Sequence, residues 1–196
     1  MSPAAATAPT SPRENPLIPN GVLAMLIFIA CEVMFFAALF SAYLVVSAGA
    51  TEWPPADQPR LPVATTAVNT LILALSGVLL FKSNNRFRRS GNIADAGQLL
   101  GWAIVCGAVF VAIQGFEWVR LLNYGLTMLS SPYGSFFYLI VGAHASHAVI
   151  AICLLFAQFR KLRQGRLHAT DFWTMQAFWY FVVLVWPFLF GIVYFN

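Results

Sequence analysis

Five long apolar runs dominate the sequence, and each is long enough to cross a lipid bilayer. The hydrocarbon core of a membrane is about 30 Å thick, so a spanning α-helix needs about 20 mainly apolar residues. The runs that meet this length cover residues 21–46, 63–81, 98–122, 132–159 and 172–195. Strands of a membrane barrel would alternate polar and apolar residues, and these runs do not alternate. The sequence therefore predicts an all-α integral membrane bundle of five transmembrane helices, forming one domain over residues 21–196.

The scarcity of charged residues supports the same fold class. They make up 9% of the chain, whereas soluble domains carry roughly 25%. The net charge of +4 comes from side chains in short loops between apolar runs, so no nucleic-acid partner is predicted. The three cysteines lie in different runs and are interpreted as small buried hydrophobic residues. Residues 1–20, which are rich in Ala and Pro, are predicted to be a disordered N-terminal tail.

The distribution of basic residues predicts how the bundle is oriented. Lys and Arg near membrane segments are retained on the cytoplasmic side. A cytoplasmic N-terminus places all the basic residues on that side except Arg60 and Arg120. We therefore predict a cytoplasmic N-terminus, a periplasmic C-terminus and a location in a bacterial inner membrane.

Glu32 is the most informative polar residue, because it lies near the middle of the first predicted helix. Its side chain is too short to reach the headgroup region, and an ionised carboxylate at this depth is costly. We expect it to face other helices, to be hydrogen-bonded and to favour the neutral acid. It is then either a hydrogen-bonded contact between helices or part of a proton or water pathway, and the residues alone leave both interpretations open.

His144 and His147 are three residues apart on the fourth predicted helix, so they lie on nearly the same face. Two histidines on one face suggest a metal or haem site. The rest of such a site is missing, because axial ligands to one haem approach from opposite sides. We therefore interpret both residues as intramembrane polar contacts and predict no metal site.

Gln114, Glu117 and Arg120 follow one another at intervals of three near the outer end of the third predicted helix. This spacing places them on one face. An ion pair between Glu117 and Arg120 is the simpler interpretation. A site for a lipid headgroup is the alternative, because Arg120 could hold a phosphate.

Several motifs occur in a fixed order along the helices. They are 29–43 (IACEVMFFAALFSAY), 53–55 (WPP), 69–73 (NTLIL), 133–137 (YGSFF), 142–147 (GAHASH) and 178–186 (FWYFVVLVW), with Gln114 and Glu117 between the third and fourth. In this order the chain resembles the subunit III family of haem-copper terminal oxidases over nearly all of its length after the tail. It is most similar to the five-helix bacterial form of cytochrome c oxidase subunit III.

The resemblance implies an accessory subunit of a proton-pumping oxygen reductase in aerobic respiratory electron transport. The chain itself would carry no redox centre, and haem and copper would be held by the catalytic subunit I and by subunit II. It would bind phospholipid in a cleft between two groups of helices and support the stability, oxygen access and proton uptake of subunit I. Glu32 matches the reactive intramembrane carboxylate of the family, so the resemblance makes it the candidate for a proton or oxygen pathway. The first two helices would form the smaller of the two groups.

The last helix departs from the family pattern, which carries His and Asp where this chain has Tyr180 and Val183. Three alternative functions also remain open. The chain could be the corresponding subunit of a quinol oxidase or nitric oxide reductase. It could be an autonomous small transporter or proton channel that uses Glu32, or a membrane anchor that binds haem.

Overall fold

The computed structural model of the chain describes residues 19–55, 59 and 61–195, without the side chain of Ser90. Within this part, five α-helices cover Asn20–Gly49 (α1), Val63–Ser90 (α2), Ile93–Asn123 (α3), Pro132–Arg163 (α4) and Ala169–Phe195 (α5). Each is long and apolar enough to cross a membrane, which confirms the predicted all-α bundle. The predicted disordered tail lies outside the described residues except at its end, where Asn20 begins α1.

The turn between α2 and α3 is much shorter than the sequence predicts. Helix α2 continues to Ser90 rather than ending at residue 81, and α3 begins at Ile93 rather than at 98. Gly91 ends α2 with a φ of 62°, a left-handed conformation that glycine adopts without steric cost. Asn92 then caps α3 by accepting a hydrogen bond from the backbone N–H of Asp95 at 3.1 Å. Hydropathy marks only the lipid-embedded part of a helix, whereas Lys and Arg allow the helix to continue into the headgroup region.

Helix α5 occupies the centre of the bundle. It contacts α1, α2 and α4, while α3 lies between α2 and α4. Trp179 and Trp186 of α5 are fully buried. Helix α1 contacts α4 and α5 but, among the described residues, not α2. The expectation that the first two helices form a separate group is therefore wrong. The connection over residues 50–62 is long enough to let α2 begin away from α1, and both helices pack against the apolar surface of α5.

A ladder of hydrogen bonds joins α2 to α3. Asn69, Ser76 and Ser83 recur at seven-residue intervals on α2, and all three are buried. Their side chains donate to backbone carbonyls of α3, namely Phe110 O at 3.0 Å, Ala103 O at 2.8 Å and Ala96 O at 2.7 Å. The acceptors are also seven residues apart, because two antiparallel helices stay in contact along one face at this spacing. The ladder holds α2 and α3 together as a helical hairpin.

Replacing Ser76 by alanine is expected to lower the free energy of unfolding by about 0.6 kcal/mol, the average measured for hydrogen bonds between helices in a membrane protein, and by no more than about 1.7 kcal/mol, the largest value measured there. The matched control is Ser146→Ala, because the exposed Ser146 hydroxyl donates to Gly142 O of its own helix. Denaturant titration of the full chain in detergent, followed by circular dichroism, measures both variants. Equal stability of the two would contradict a role for the ladder in holding the hairpin together.

Candidate functional site

Glu32 and His147 meet between α1 and α4. Oε2 of Glu32 lies 3.0 Å from Nε2 of His147, and each side chain is 17% exposed. Glu32 is near the middle of α1 and therefore near the centre of the membrane span. The other ring nitrogen of His147, Nδ1, lies 2.7 Å from the backbone carbonyl oxygen of Ala143. The histidine thus links an acid on one helix to the backbone of another.

These two contacts determine where the protons are. The Ala143 carbonyl can only accept, so Nδ1 of His147 must carry a proton. If the pair carries no net charge, one further proton lies between Nε2 and Oε2. Either the Glu32 hydroxyl donates to Nε2, or Nε2–H donates to the Glu32 carboxylate. The pair has zero net charge in both arrangements, which avoids the cost of a net charge in the membrane interior.

Aromatic rings surround this pair. The ring of His147 lies 5.5 Å from that of Phe36, 6.3 Å from Phe178 and 6.5 Å from Phe181, measured between centroids. An apolar groove of about 470 Å³ runs beside them between α1 and α5, and its lining includes Phe36 and Phe181. Because apolar surroundings strengthen electrostatic interactions, this environment favours a tight contact between Glu32 and His147.

His144 has different surroundings from His147, although both lie on α4. It is 1% exposed, and its ring lies 5.0 Å from that of Trp186 and 6.3 Å from that of Phe110. Its Nε2 is buried, and no hydrogen-bond partner for it lies among the described residues. The two histidines therefore do not converge on one ligand position. In the part of the chain that the structure describes, no group of three or more His, Cys, Asp or Glu side chains comes together to hold a metal ion.

The three residues predicted to share a face of α3 separate into two environments. Arg120 Nη1 lies 3.8 Å from Glu117 Oε1, with Glu117 buried and the Arg120 side chain 52% exposed. The Arg120 guanidinium also lies over the ring of Tyr124, 5.7 Å from its centroid. Gln114 instead faces the helix bundle, where its Nε2 donates to the hydroxyl of Tyr194 at 3.0 Å. Gln114 thus contributes to packing inside the bundle, and Glu117 and Arg120 form a pair at its edge.

Sequence reasoning missed the polar network that surrounds Gln114. Asn69 Nδ2 lies 3.4 Å from Gln114 Oε1, and the buried indole of Trp186 donates to Thr70 Oγ1 at 2.8 Å. These contacts join α2, α3 and α5. The spacing of Asn69, Ser76 and Ser83 was the available signal, because a seven-residue repeat of small polar residues indicates a helix-packing face.

Two of the motifs have clear structural roles. Trp53 of the WPP motif donates from its indole N–H to the hydroxyl of Tyr43 at 3.1 Å, which ties the loop after α1 to that helix. In the last helix, Tyr180 accepts a hydrogen bond from Gln176 Nε2. Val183 lies against Gly77 of α2, where a Cβ added to the glycine would be 3.5 Å from Val183 Cγ1. The position of the family Asp is thus an apolar contact between α5 and α2.

The cysteines are free thiols, and two of them differ from the prediction of burial. Cys31 and Cys153 are exposed, and Cys106 is intermediate. In a membrane bundle both the core and the outer surface are apolar. The hydrophobic character of a cysteine therefore does not show whether it lies in the core or on the outer surface.

Comparison with known proteins identifies the family. The family model of cytochrome c oxidase subunit III matches residues 11–196. A probable cytochrome c oxidase subunit 3 of Mycobacterium leprae is 32% identical over 201 residues, covering 96% of this chain and 95% of that protein. One from Nocardia farcinica is 33% identical, covering 90% and 89%. The cytochrome c oxidase subunit 3 of Paracentrotus lividus is 31% identical, covering 91% of this chain and 70% of that protein.

These matches extend over nearly the whole chain and confirm the resemblance drawn from the motifs. The chain therefore belongs to the cytochrome c oxidase subunit III family, the accessory subunits of haem-copper oxidases.

Proposed function

We propose that this chain is subunit III of a proton-pumping cytochrome c oxidase in a bacterial inner membrane, bound beside subunits I and II. Family membership supports a place in a respiratory oxidoreductase complex. The names of the relatives favour a cytochrome c oxidase over a quinol oxidase or nitric oxide reductase. The N-terminus is cytoplasmic in this proposal, because the basic residues lie mainly at the end of the bundle where α1 begins.

The chemistry of oxygen reduction belongs to haem and copper on the partner subunits in this proposal. The residues of this chain supply positioning and a polar contact inside the membrane. His144 and His147 are separated into different environments, which supports an accessory role without a redox centre of its own.

The Glu32–His147 contact is the observation on which the proposed role mainly depends. At 3.0 Å, a proton can move between Oε2 and Nε2 without changing the net charge of the pair. The pair also holds α1 against α4. We propose that it acts as a proton-pathway element that supports proton uptake by subunit I and protects the complex during sustained turnover.

The surfaces next to the pair suit apolar and amphipathic molecules. The groove between α1 and α5 is almost wholly apolar, and we propose it as a route for oxygen or a place for a lipid chain. Arg120 is exposed next to the buried Glu117. Its guanidinium can bind a lipid phosphate at the outer surface while Glu117 holds it in position.

Replacing Glu32 by glutamine and by alanine separates the two roles of the pair. Glutamine keeps a hydrogen-bonding group at this position but removes the transferable proton, whereas alanine removes both. If the pair acts as a proton-pathway element, both variants shorten the active lifetime of the purified oxidase during turnover, while the haem spectra stay intact. The measurements are oxygen consumption over time and the optical spectrum of the complex.

The neighbouring Cys31→Ala is the control, because Cys31 is exposed on the same helix. A glutamine variant that behaves like the unchanged protein, with only alanine impaired, would reject the proton role and leave the packing role. Loss of the haem signal in either variant would show instead that Glu32 acts in assembly.

A further inference from the structure

A polar pocket lies between α1, α4 and α5, at the end of the bundle where α1 and α5 begin and α4 ends. Its volume is about 540 Å³, far more than the roughly 30 Å³ that one water molecule occupies in the liquid. Half of its lining residues are polar, namely Gln158, Lys161, Thr170, Asp171 and Thr174. This distinguishes it from the apolar groove between α1 and α5.

The polar side chains of the pocket suit water. Nζ of Lys161 lies 3.6 Å from Oδ2 of Asp171, and the two side chains are 48% and 43% exposed, so this ion pair stands on the open side. Gln158 lies about one turn further into the bundle and is buried. Its Oε1 has no hydrogen-bond partner among the described residues. A buried acceptor without a partner costs about 1–3 kcal/mol, and a water molecule in the pocket would supply one.

On α1, the pocket and Glu32 share one face of the helix. Residues three or four positions apart lie on the same face, and the lining residues Gly21, Met25 and Phe28 lead at this spacing to Glu32. Four residues of α-helix rise about 6 Å. The inner end of the pocket at Phe28 is therefore about one helical turn from Glu32.

The same alignment holds on α4. Lys161 and Gln158 line the pocket. Steps of three and four positions then lead from Gln158 through Leu154 and Ala151 to His147, so these residues also share a face. The pocket therefore continues the interface between α1 and α4 in which Glu32 and His147 meet.

Two phenylalanine rings lie between the pocket and the Glu32–His147 pair. Phe28 lines the pocket and is 43% exposed, whereas Phe178, one turn after the lining residue Thr174, is buried. The centroids of the two rings are 5.6 Å apart, and the Phe178 ring lies 6.3 Å from that of His147. The contacts thus run from the pocket through two apolar rings to His147, and these rings separate water in the pocket from the pair.

We propose that this pocket is the aqueous entrance through which the Glu32–His147 pair exchanges protons, and that Phe28 and Phe178 restrict the exchange. The inference rests on the proton role proposed above for the pair and adds its route to water. In one exchange, a water molecule gives a proton to the pair and takes one back, so the net charge of the pair returns to its starting value. The exchange occurs when the two rings move apart, which is a local opening of the bundle.

The test measures how fast the ring N–H protons of His147 exchange with water, by NMR of the full chain in detergent with isotope-labelled histidine. Phe28→Ala removes one of the two rings. It is expected to raise the exchange rate about tenfold, equivalent to a local opening that costs about 1.4 kcal/mol less. Ala24→Leu places a larger side chain in the pocket lining, and it is expected to lower the rate about tenfold because less water reaches the rings.

Each variant has a matched control on the opposite side of α1. Leu26 is exposed to the same extent as Phe28, at 43%, and the exposed Ala30 matches Ala24. Neither control residue belongs to the pocket lining that the described residues form. Leu26→Ala and Ala30→Leu are expected to leave the exchange rate of His147 unchanged.

His144 provides a reference in the same spectra, because it is buried on α4 outside the pocket lining. Its exchange rate is expected to stay the same in all four variants. Faster exchange of His144 in step with His147 would overturn the entrance, because the whole bundle would then have loosened. A rate in Phe28→Ala no higher than in its control, or in Ala24→Leu no lower than in its control, would overturn it as well.

The exchange experiment and the test of the proposed function can fail separately. The active lifetime of the oxidase with Glu32→Gln reports whether the pair has a proton role. The exchange rate of His147, measured in variants that keep the pair intact, reports the route to water. A shortened lifetime together with exchange that does not depend on Phe28 or Ala24 would retain the proton role and reject this pocket as its entrance.

Discussion

Replacing Gly134 by alanine is expected to lower the free energy of unfolding of this chain by about 1–3 kcal/mol, the usual cost of overpacking a buried position. Gly134 lies in the first turn of α4 and is buried. An added Cβ would lie 2.3 Å from the backbone carbonyl oxygen of Thr127 and 2.9 Å from Ser130 Oγ. The Thr127 carbonyl is held by hydrogen bonds from Ser130, so relief of the clash requires the loop before α4 to move.

Thermal unfolding of the full chain in detergent, followed by circular dichroism, measures this effect. Gly115→Ala is the matched control, because Gly115 lies inside α3 and nothing lies within 4 Å of an added Cβ there. Alanine is the better helix former by about 1 kcal/mol, so this control is expected to be at least as stable as the unchanged chain. Equal stability of the two variants would show that the loop does not pack against α4 as described.

Removing either partner of the Glu32–His147 pair is expected to cost about 1–3 kcal/mol of stability, because the partner that remains is left without its hydrogen bond in an apolar environment. The double variant Glu32→Ala/His147→Ala is expected to be no less stable than the worse of the two single variants. This outcome reflects one shared interaction rather than two independent ones. The same unfolding assay, applied to all four proteins of the cycle, gives the coupling energy.

A second cycle combines Glu32→Ala with Ser146→Ala. Ser146 stands next to His147 but bonds within its own helix, so the two costs are expected to add. If the stability losses of Glu32→Ala and His147→Ala simply add, the contact between the two residues is contradicted. If Glu32→Ala and Ser146→Ala are coupled, the whole segment of α4 around His147 responds to any change in α1.

The number and class of the helices could be predicted from the sequence because both follow from hydrophobic length. The end of α2 and the start of α3 could not be predicted in this way. Hydropathy falls at Lys82, whereas α2 continues to Ser90 and α3 begins at Ile93. The arrangement of the helices could not be predicted from the sequence either. All five helices are apolar, and lipid and core favour the same residues, so nothing local indicated that α5 lies between α1 and α2.

The candidate site was only half predictable for a similar reason. Glu32 and the two histidines could be identified by their depth in the membrane and their polarity, because both properties can be read from a single segment of the sequence. The choice of His147 over His144 as the partner of Glu32 depends on the rotation of α4 relative to α1, across a separation of 115 residues. The three-residue spacing shows that both histidines lie on nearly the same face of α4. It does not show which of them contacts α1.

The α2–α3 ladder bears on the order in which the chain can enter a membrane. Its donors on α2 find their acceptors on the next helix to be synthesised, so the three side chains of the ladder can pair before α4 and α5 exist. Glu32 has no such neighbour, because His147 follows 115 residues later. At synthesis rates of about 5–20 residues per second, the partner of Glu32 is synthesised about 6–23 s after Glu32 itself. The first helix is thus the first to be made and among the last to be anchored by its polar contact.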